Sequence, residues 1–215
     1  MAINTYAGLV TSIGNWLHRI DLGTLIPDWV AMVEADFNRT YRHQRMLTQA
    51  TLNGTETTVT DGLGTNVSRY PLPADFLQAE RVLVDGVKMR ILGDTPFANT
   101  FGAVYPSVDQ PLFYSIEGGN VVVGAKPSAT ASVILTYFAR VPALTGAAPS
   151  NWLLTWHPDV YLYGALVYGC SYTQDFELAP TFQQYYKNAL DGVRSDDAAY
   201  GWSGDELVPY SEYAV

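Results

Sequence analysis

The sequence predicts an α+β fold: a helical bundle of two N-terminal and two C-terminal helices, with an antiparallel β module inserted between them. Three observations carry that prediction. Apolar residues recur at steps of three and four at both ends of the 215-residue chain. The middle is instead rich in Thr, Val, Gly, Pro and Asn, with short alternating runs and two dipeptide signals for tight hairpins. A composition that is 48% hydrophobic and 15% charged supplies a real core and argues against disorder.

The first helix is read from Tyr6, Leu9, Val10, Ile13, Trp16, Leu17 and Ile20, one buried stripe with Asn4 or Thr5 as cap and Gly23 to end it. The second is expected over 24–41, with Pro27 in its first turn and a stripe of Ile26, Trp29, Val30, Val33, Phe37 and Tyr41. Joined by a short loop, the two form an antiparallel hairpin. From Met46 onward the runs ETTVTDG, AERVLVDGVKMRIL, LFYSIEGGNVVVG and SVILTYFARV read as strands of a four- to six-stranded module. Asp85-Gly86 and Gly118-Gly119-Asn120 are hairpin turns, and YPLPADF (70–76) is an extended approach to a strand. GLGTN (62–66) reads as a plain turn and 94–110 as a long loop. Helical pattern returns after Pro149: one helix from Pro158 to Tyr172, another over 180–196 with Phe182, Tyr185, Tyr186, Ala189, Leu190 and Val193 inward. The resulting organisation is 1–45 helical hairpin, 46–145 β module, 146–198 C-terminal helices and 199–215 extended tail.

Charge and composition exclude several function classes. Twelve basic against 21 acidic residues give a net charge of −9, which is unsuited to gripping phosphate backbones. The single cysteine, Cys170, lies in an apolar run and reads as a small buried hydrophobe. The start has no basic n-region or unbroken apolar run, so no signal peptide is expected. The longest apolar stretch, Val160 to Cys170, falls well short of the ~20 residues a spanning helix needs.

Catalytic signatures are missing locally. His18, His43 and His157 each stand alone, without ligand spacing, and no metal or cofactor site is expected. His18 is placed on the polar side of the first helix and His157 at a helix start. There is no nucleophile elbow and no phosphate-binding loop. Glu34 and Asp36 point to different helix faces, and Asp196–Asp197 and Asp205–Glu206 lie in a segment that reads as solvated. The chain is therefore expected not to be an enzyme. Arg39, Arg42 and Arg45 form the one basic cluster, either complementing a helix dipole or pairing with acidic surface on a partner or neighbouring subunit.

Three segments carry a family resemblance: NWLLTWHPDVYLYGALVYGCSYTQD (151–175), YPLPADFLQAERVLVDG (70–86) and LTYFARVPALT (135–145). With the N-terminal DWVAMVEADFNR, they resemble in order the head-to-tail adaptor (connector) proteins of tailed bacteriophages, particularly short-tailed ones. The resemblance implies a structural virion protein at the head–tail junction, made in the host cytoplasm. It implies a ring, usually of twelve copies, that binds the portal above and the tail nozzle, with tail fibre proteins, below. Genomic DNA passes through such a ring without specific binding, and an acidic wall suits that passage. On this reading Trp152, Trp156, Tyr161, Tyr163 and Tyr168 are interface aromatics, joined by Arg39, Arg42 and Arg45. The tail anchors Trp202, Tyr210 and Tyr213 would dock on the portal. The alternative is a tail-associated glycan-binding or glycan-hydrolysing protein, which would need carboxylates converging in a cleft.

Overall fold

A computed structural model describes residues 3–19, 21–53, 67–93, 113–124 and 131–201. Its class is mixed α+β, with five α-helices and two sheets among those residues. The chain divides into two compact units, 1–45 with 141–215, and 46–140. ETTVTDG, GLGTN, the 94–110 loop and the tail anchors Trp202, Tyr210 and Tyr213 lie outside the described residues.

The first unit is helical. Helix α1 (Tyr6–Trp16) is capped by the Thr5 hydroxyl, which accepts the Gly8 N–H at 3.2 Å. It stops well short of Gly23. His18 takes a left-handed φ of 52°, while the His18 and Arg19 amides donate back to the Asn15 and Gly14 carbonyls. This double closure satisfies the last carbonyls without a glycine, and it puts His18 beyond the helix instead of on its polar side. Helix α2 (Ile26–Thr40) buries Ile26, Trp29, Val30, Val33 and Phe37, the stripe expected of it.

After 141 come α3 (Trp152–Trp156), α4 (Pro158–Thr173) and α5 (Ala179–Tyr200). The Asn151 side chain caps α3 by accepting the Leu154 N–H at 2.8 Å, and Pro158 opens α4 where its missing N–H costs nothing. Helix α4 packs against α1, α2, α3 and α5. That position explains the apolar run: Val160, Tyr161, Leu162, Ala165, Leu166 and Cys170 are all buried. Two glycines permit the close approach. A Cβ on Gly164 would stand 2.7 Å from a Val33 methyl, and one on Gly169 would stand 2.8 Å from a Leu17 methyl. Helix α5 runs four residues past the expected Asp196, carrying Asp196, Asp197 and Tyr200 on regular backbone.

The second unit holds strands β1 (Leu47–Leu52), β2 (Val67–Pro71), β3 (Phe76–Val84), β4 (Val87–Lys88), β5 (Arg90–Ile91), β6 (Phe113–Glu117), β7 (Asn120–Gly124) and β8 (Val133–Ala139). One sheet is ordered β1-β8-β3-β4 and the other β2-β7-β6-β5. Residues of both build one core, including Val82, Val84, Val133, Leu135 and Tyr137 from the first, and Tyr70, Tyr114, Val121 and Val123 from the second. Val122 faces the other way and packs with Leu92 and Phe113, as strand alternation requires.

The eight strands among the described residues exceed the expected four to six, and one pairing is parallel: Arg90 and Ile91 lie beside Phe113 and Tyr114. The run GVKMRIL accounts for the parallel pairing and one extra strand; β1 and β2, which lie outside the runs read as strands, account for the rest. GVKMRIL reads as one strand but divides at Met89, with β4 completing a hairpin in one sheet and β5 joining the edge of the other. The hairpin turns are where expected. Asp85 and Gly86 (φ 49° and 81°) join β3 to β4, and Gly118 and Gly119 (φ 54° and 78°) join β6 to β7.

Candidate functional site

Within the helical unit, side chains of α2 hold the segment that follows residue 140. Glu34 and Asn38 sit one turn apart, so both reach the same side of the helix. The Asn38 side-chain oxygen accepts the Val141 N–H at 2.9 Å, and Glu34 Oε1 accepts the Leu144 N–H at 2.8 Å. Tyr161 donates its hydroxyl to the same Glu34 oxygen, and Asn151 Nδ2 donates to both the Tyr161 hydroxyl and the Pro142 carbonyl. Burial pushes the Glu34 carboxyl above its ordinary range, against the two donors that favour its anion. The same burial, with Glu34 nearby, raises the Tyr161 phenol. This is a buried polar network, and its members specify the path of the linker.

A second cluster forms where α5 ends. His43 is buried, and its Nδ1 accepts the Arg45 N–H at 3.0 Å. Its Nε2 lies 3.4 Å from Asp196 Oδ2, and His157 Nε2 lies 3.3 Å from that same oxygen. Asp197 Oδ1 accepts the Gln44 N–H at 2.7 Å and stands 3.7 Å from His43 Nδ1. Above the cluster, the Arg45 guanidinium lies 4.7 Å from the ring centres of both Trp156 and Tyr200. Burial lowers the His43 pKa despite the two aspartates. For Asp196, burial acts upward, but the His157 hydrogen bond and the charges of His157, Arg45 and His43 outweigh it and leave the carboxyl lowered.

At another part of the unit, aromatic rings gather where α1, α4 and α5 meet. Trp16 meets Tyr163 and Phe182 edge-on, each at 6.1 Å, and Tyr185 lies 5.3 Å from Tyr163. Phe182 is buried, whereas Trp16 and Tyr185 are exposed. Tyr172, Phe176 and Leu178, around the α4–α5 turn, are exposed as well, with Phe176 at 71%. Exposed aromatic and aliphatic side chains near one another are the composition of an association surface.

The residues named from sequence fall into three groups. Tyr161 is wholly buried in the chain's own core, so its aromatic ring offers nothing to a partner. Trp152 is half-buried against His43 and Phe37, and Tyr168 is also half-buried. Trp156 is 59% exposed under Arg45, and Tyr163 presents an edge beside Trp16 and Tyr185. The arginines do not form one patch. Arg39 is exposed and pairs with Asp36, Arg42 donates to the Asn38 and Tyr41 carbonyls, and Arg45 joins the histidine cluster. Asp196 and Asp197, read as solvated, are half-buried partners of His43. Sequence reasoning also missed Phe176 and Leu178, whose place in a short turn between apolar helices is the one signal in the sequence that points to them.

Among the described residues, no helix is long and apolar enough to cross a membrane. No curated protein matches the chain. A family model described as SU10 adaptor protein matches residues 4–207, nearly the whole sequence. The match spans both units and agrees with the ordered motifs that resemble phage head-to-tail adaptors. The chain belongs to the SU10 adaptor protein family, and its role is that of a structural phage adaptor.

Proposed function

We propose that the chain is one subunit of a ring, twelve copies in the virion, that joins the portal to the tail nozzle and extends the DNA channel without catalysing a reaction. The observation that carries this reading is the family match over residues 4–207. Exposed Trp16, Trp156, Phe176 and Tyr185 on the helical unit support it, since aromatic side chains are enriched at subunit contacts. Of the residues named from sequence, Trp152, Trp156, Tyr163, Tyr168 and Arg39 are kept as interface residues; Tyr161, Arg42 and Arg45 serve the chain's own fold. Residues 141–215 hold nine acidic and two basic residues, which supply most of the −9 charge. An acidic balance of this kind repels phosphates and leaves DNA free to slide.

The tail beyond Tyr200, with Trp202, Tyr210 and Tyr213, is assigned to portal docking, and the β unit to nozzle and fibre proteins. Deleting the tail tests the first assignment. The intact chain is expected to cosediment with cognate portal rings and the shortened chain to remain in the supernatant. Undiminished cosedimentation of the shortened chain would remove the tail from the docking role.

A further inference from the structure

We propose that His43, His157 and Asp196 form a binding site for one divalent transition-metal ion of the zinc class. Among the described residues these are the one group of three His, Cys, Asp or Glu side chains whose ligand atoms lie together, all within 4.8 Å of one another. Imidazole nitrogens and a carboxylate oxygen are ligands that zinc-class ions accept, and two histidines discriminate against magnesium and calcium.

The distances suit coordination. With metal–ligand bonds of about 2.0 Å, the edge of a tetrahedron is about 3.3 Å. His157 Nε2 and His43 Nε2 stand 3.3 and 3.4 Å from Asp196 Oδ2. His157 Nε2 and Asp196 Oδ2 share a hydrogen bond at that spacing, and an ion would take the place of its proton without drawing the two atoms apart. Closing the remaining histidine–histidine edge needs a shift of up to about 1.5 Å, which falls to half-buried His157 and Asp196, since His43 is buried. Water supplies the fourth position.

Two features set the requirements for binding. His43 Nδ1 accepts the Arg45 N–H, so the neutral ring carries its proton on Nε2. Coordination through Nε2 moves that proton to Nδ1, which breaks the Arg45 N–H bond and turns the new N–H toward Asp197 Oδ1, 3.7 Å away. A carboxylate behind a ligating histidine is the usual outer partner in such sites. Arg45 Nε lies 3.8 Å from Asp196 Oδ2 and competes for it, but the guanidinium is already held over Trp156 and Tyr200. The ion would tie together the turn after α2, the α3–α4 junction and the last turn of α5.

The test uses full-length, tag-free chain freed of metal with a chelator. Cobalt(II) is added first, because tetrahedral coordination produces intense visible bands, and zinc(II) is then titrated in. The expected result is one cobalt per chain, displaced stoichiometrically by zinc, with no response to magnesium. At zinc a hundredfold above Kd, the melting temperature should rise by roughly 5 °C or more. His157→Gln and Asp196→Asn, each checked for native helix content, should weaken binding at least about tenfold. Absence of the cobalt bands together with an unchanged wild-type melting temperature would overturn the proposal. So would undiminished binding in the two folded variants. The wild-type readouts need no variant, and none of them depends on portal binding.

Discussion

Replacing Gly164 with Ala tests whether α4 is locked in the centre of the helical unit. The new Cβ would stand 2.7 and 3.2 Å from the two Val33 methyls and 3.0 Å from Tyr186 Cε2. Carbon atoms prefer 3.5–4.0 Å, so α2 or α5 must yield. Inserting a methyl into such a site costs about 1–3 kcal/mol. Alanine recovers about 1 kcal/mol through its better helix propensity. The net expectation is therefore a loss of up to about 2 kcal/mol, or up to about 8 °C in melting temperature. Gly192, in α5, is the control, because a Cβ there meets nothing within 4 Å. Gly192→Ala should stabilise by about 1 kcal/mol. Adding Val33→Ala to Gly164→Ala removes the two nearest methyls, and the pair should show a favourable coupling of about 0.5–3 kcal/mol. Urea melts followed by circular dichroism at 222 nm, where the helical unit dominates, give all four values. If Gly164→Ala stabilises as much as Gly192→Ala, the close packing of α4 on α2 is wrong.

Other expectations follow from the polar network and the core. Burial raises the Glu34 pKa, so the folded state prefers the protonated acid. Its stabilising contribution is full below the unfolded carboxyl pKa and is lost as pH rises through the folded value. The stability of wild type relative to Glu34→Gln should therefore fall between pH 4 and neutrality; a flat difference in urea melts would exclude this. Asn38→Ala removes the acceptor of the Val141 N–H and should cost about 1–3 kcal/mol by the same melts, whereas a change within a few tenths would show that the linker is held elsewhere. Burial raises the Cys170 thiol pKa, so a thiol reagent should label it only after denaturation, and prompt labelling of the native chain would contradict its buried position.

Much of the fold was legible because local chemistry and tertiary structure agree. Ile26, Trp29, Val30, Val33 and Phe37 repeat with helical period and are all buried, and Asp85-Gly86 and Gly118-Gly119 adopt the positive φ values that their turns need. The end of α1 was not legible, because its closing left-handed residue is a histidine where a glycine is the readable signal. The division of GVKMRIL between two sheets was hidden for another reason. Strand propensity does not report which neighbour a strand joins.

The site was less legible than the fold. Glu34 reads as one more polar position, yet it is buried because two groups 110 and 127 residues away complete it. His43, His157 and Asp196 converge from positions separated by more than a hundred and by 39 residues, a distance over which no spacing rule operates. The aromatic run 151–175 mixes a core tyrosine with surface tryptophan, and side-chain type alone does not separate Tyr161 from Trp156.

The central claim concerns assembly, and native mass spectrometry of the chain with cognate portal rings tests it most directly. The account predicts that the 23.6 kDa chain, whether alone or self-associated beforehand, adds to each portal ring in one copy per portal subunit. A portal ring whose mass is unchanged in excess chain would contradict it.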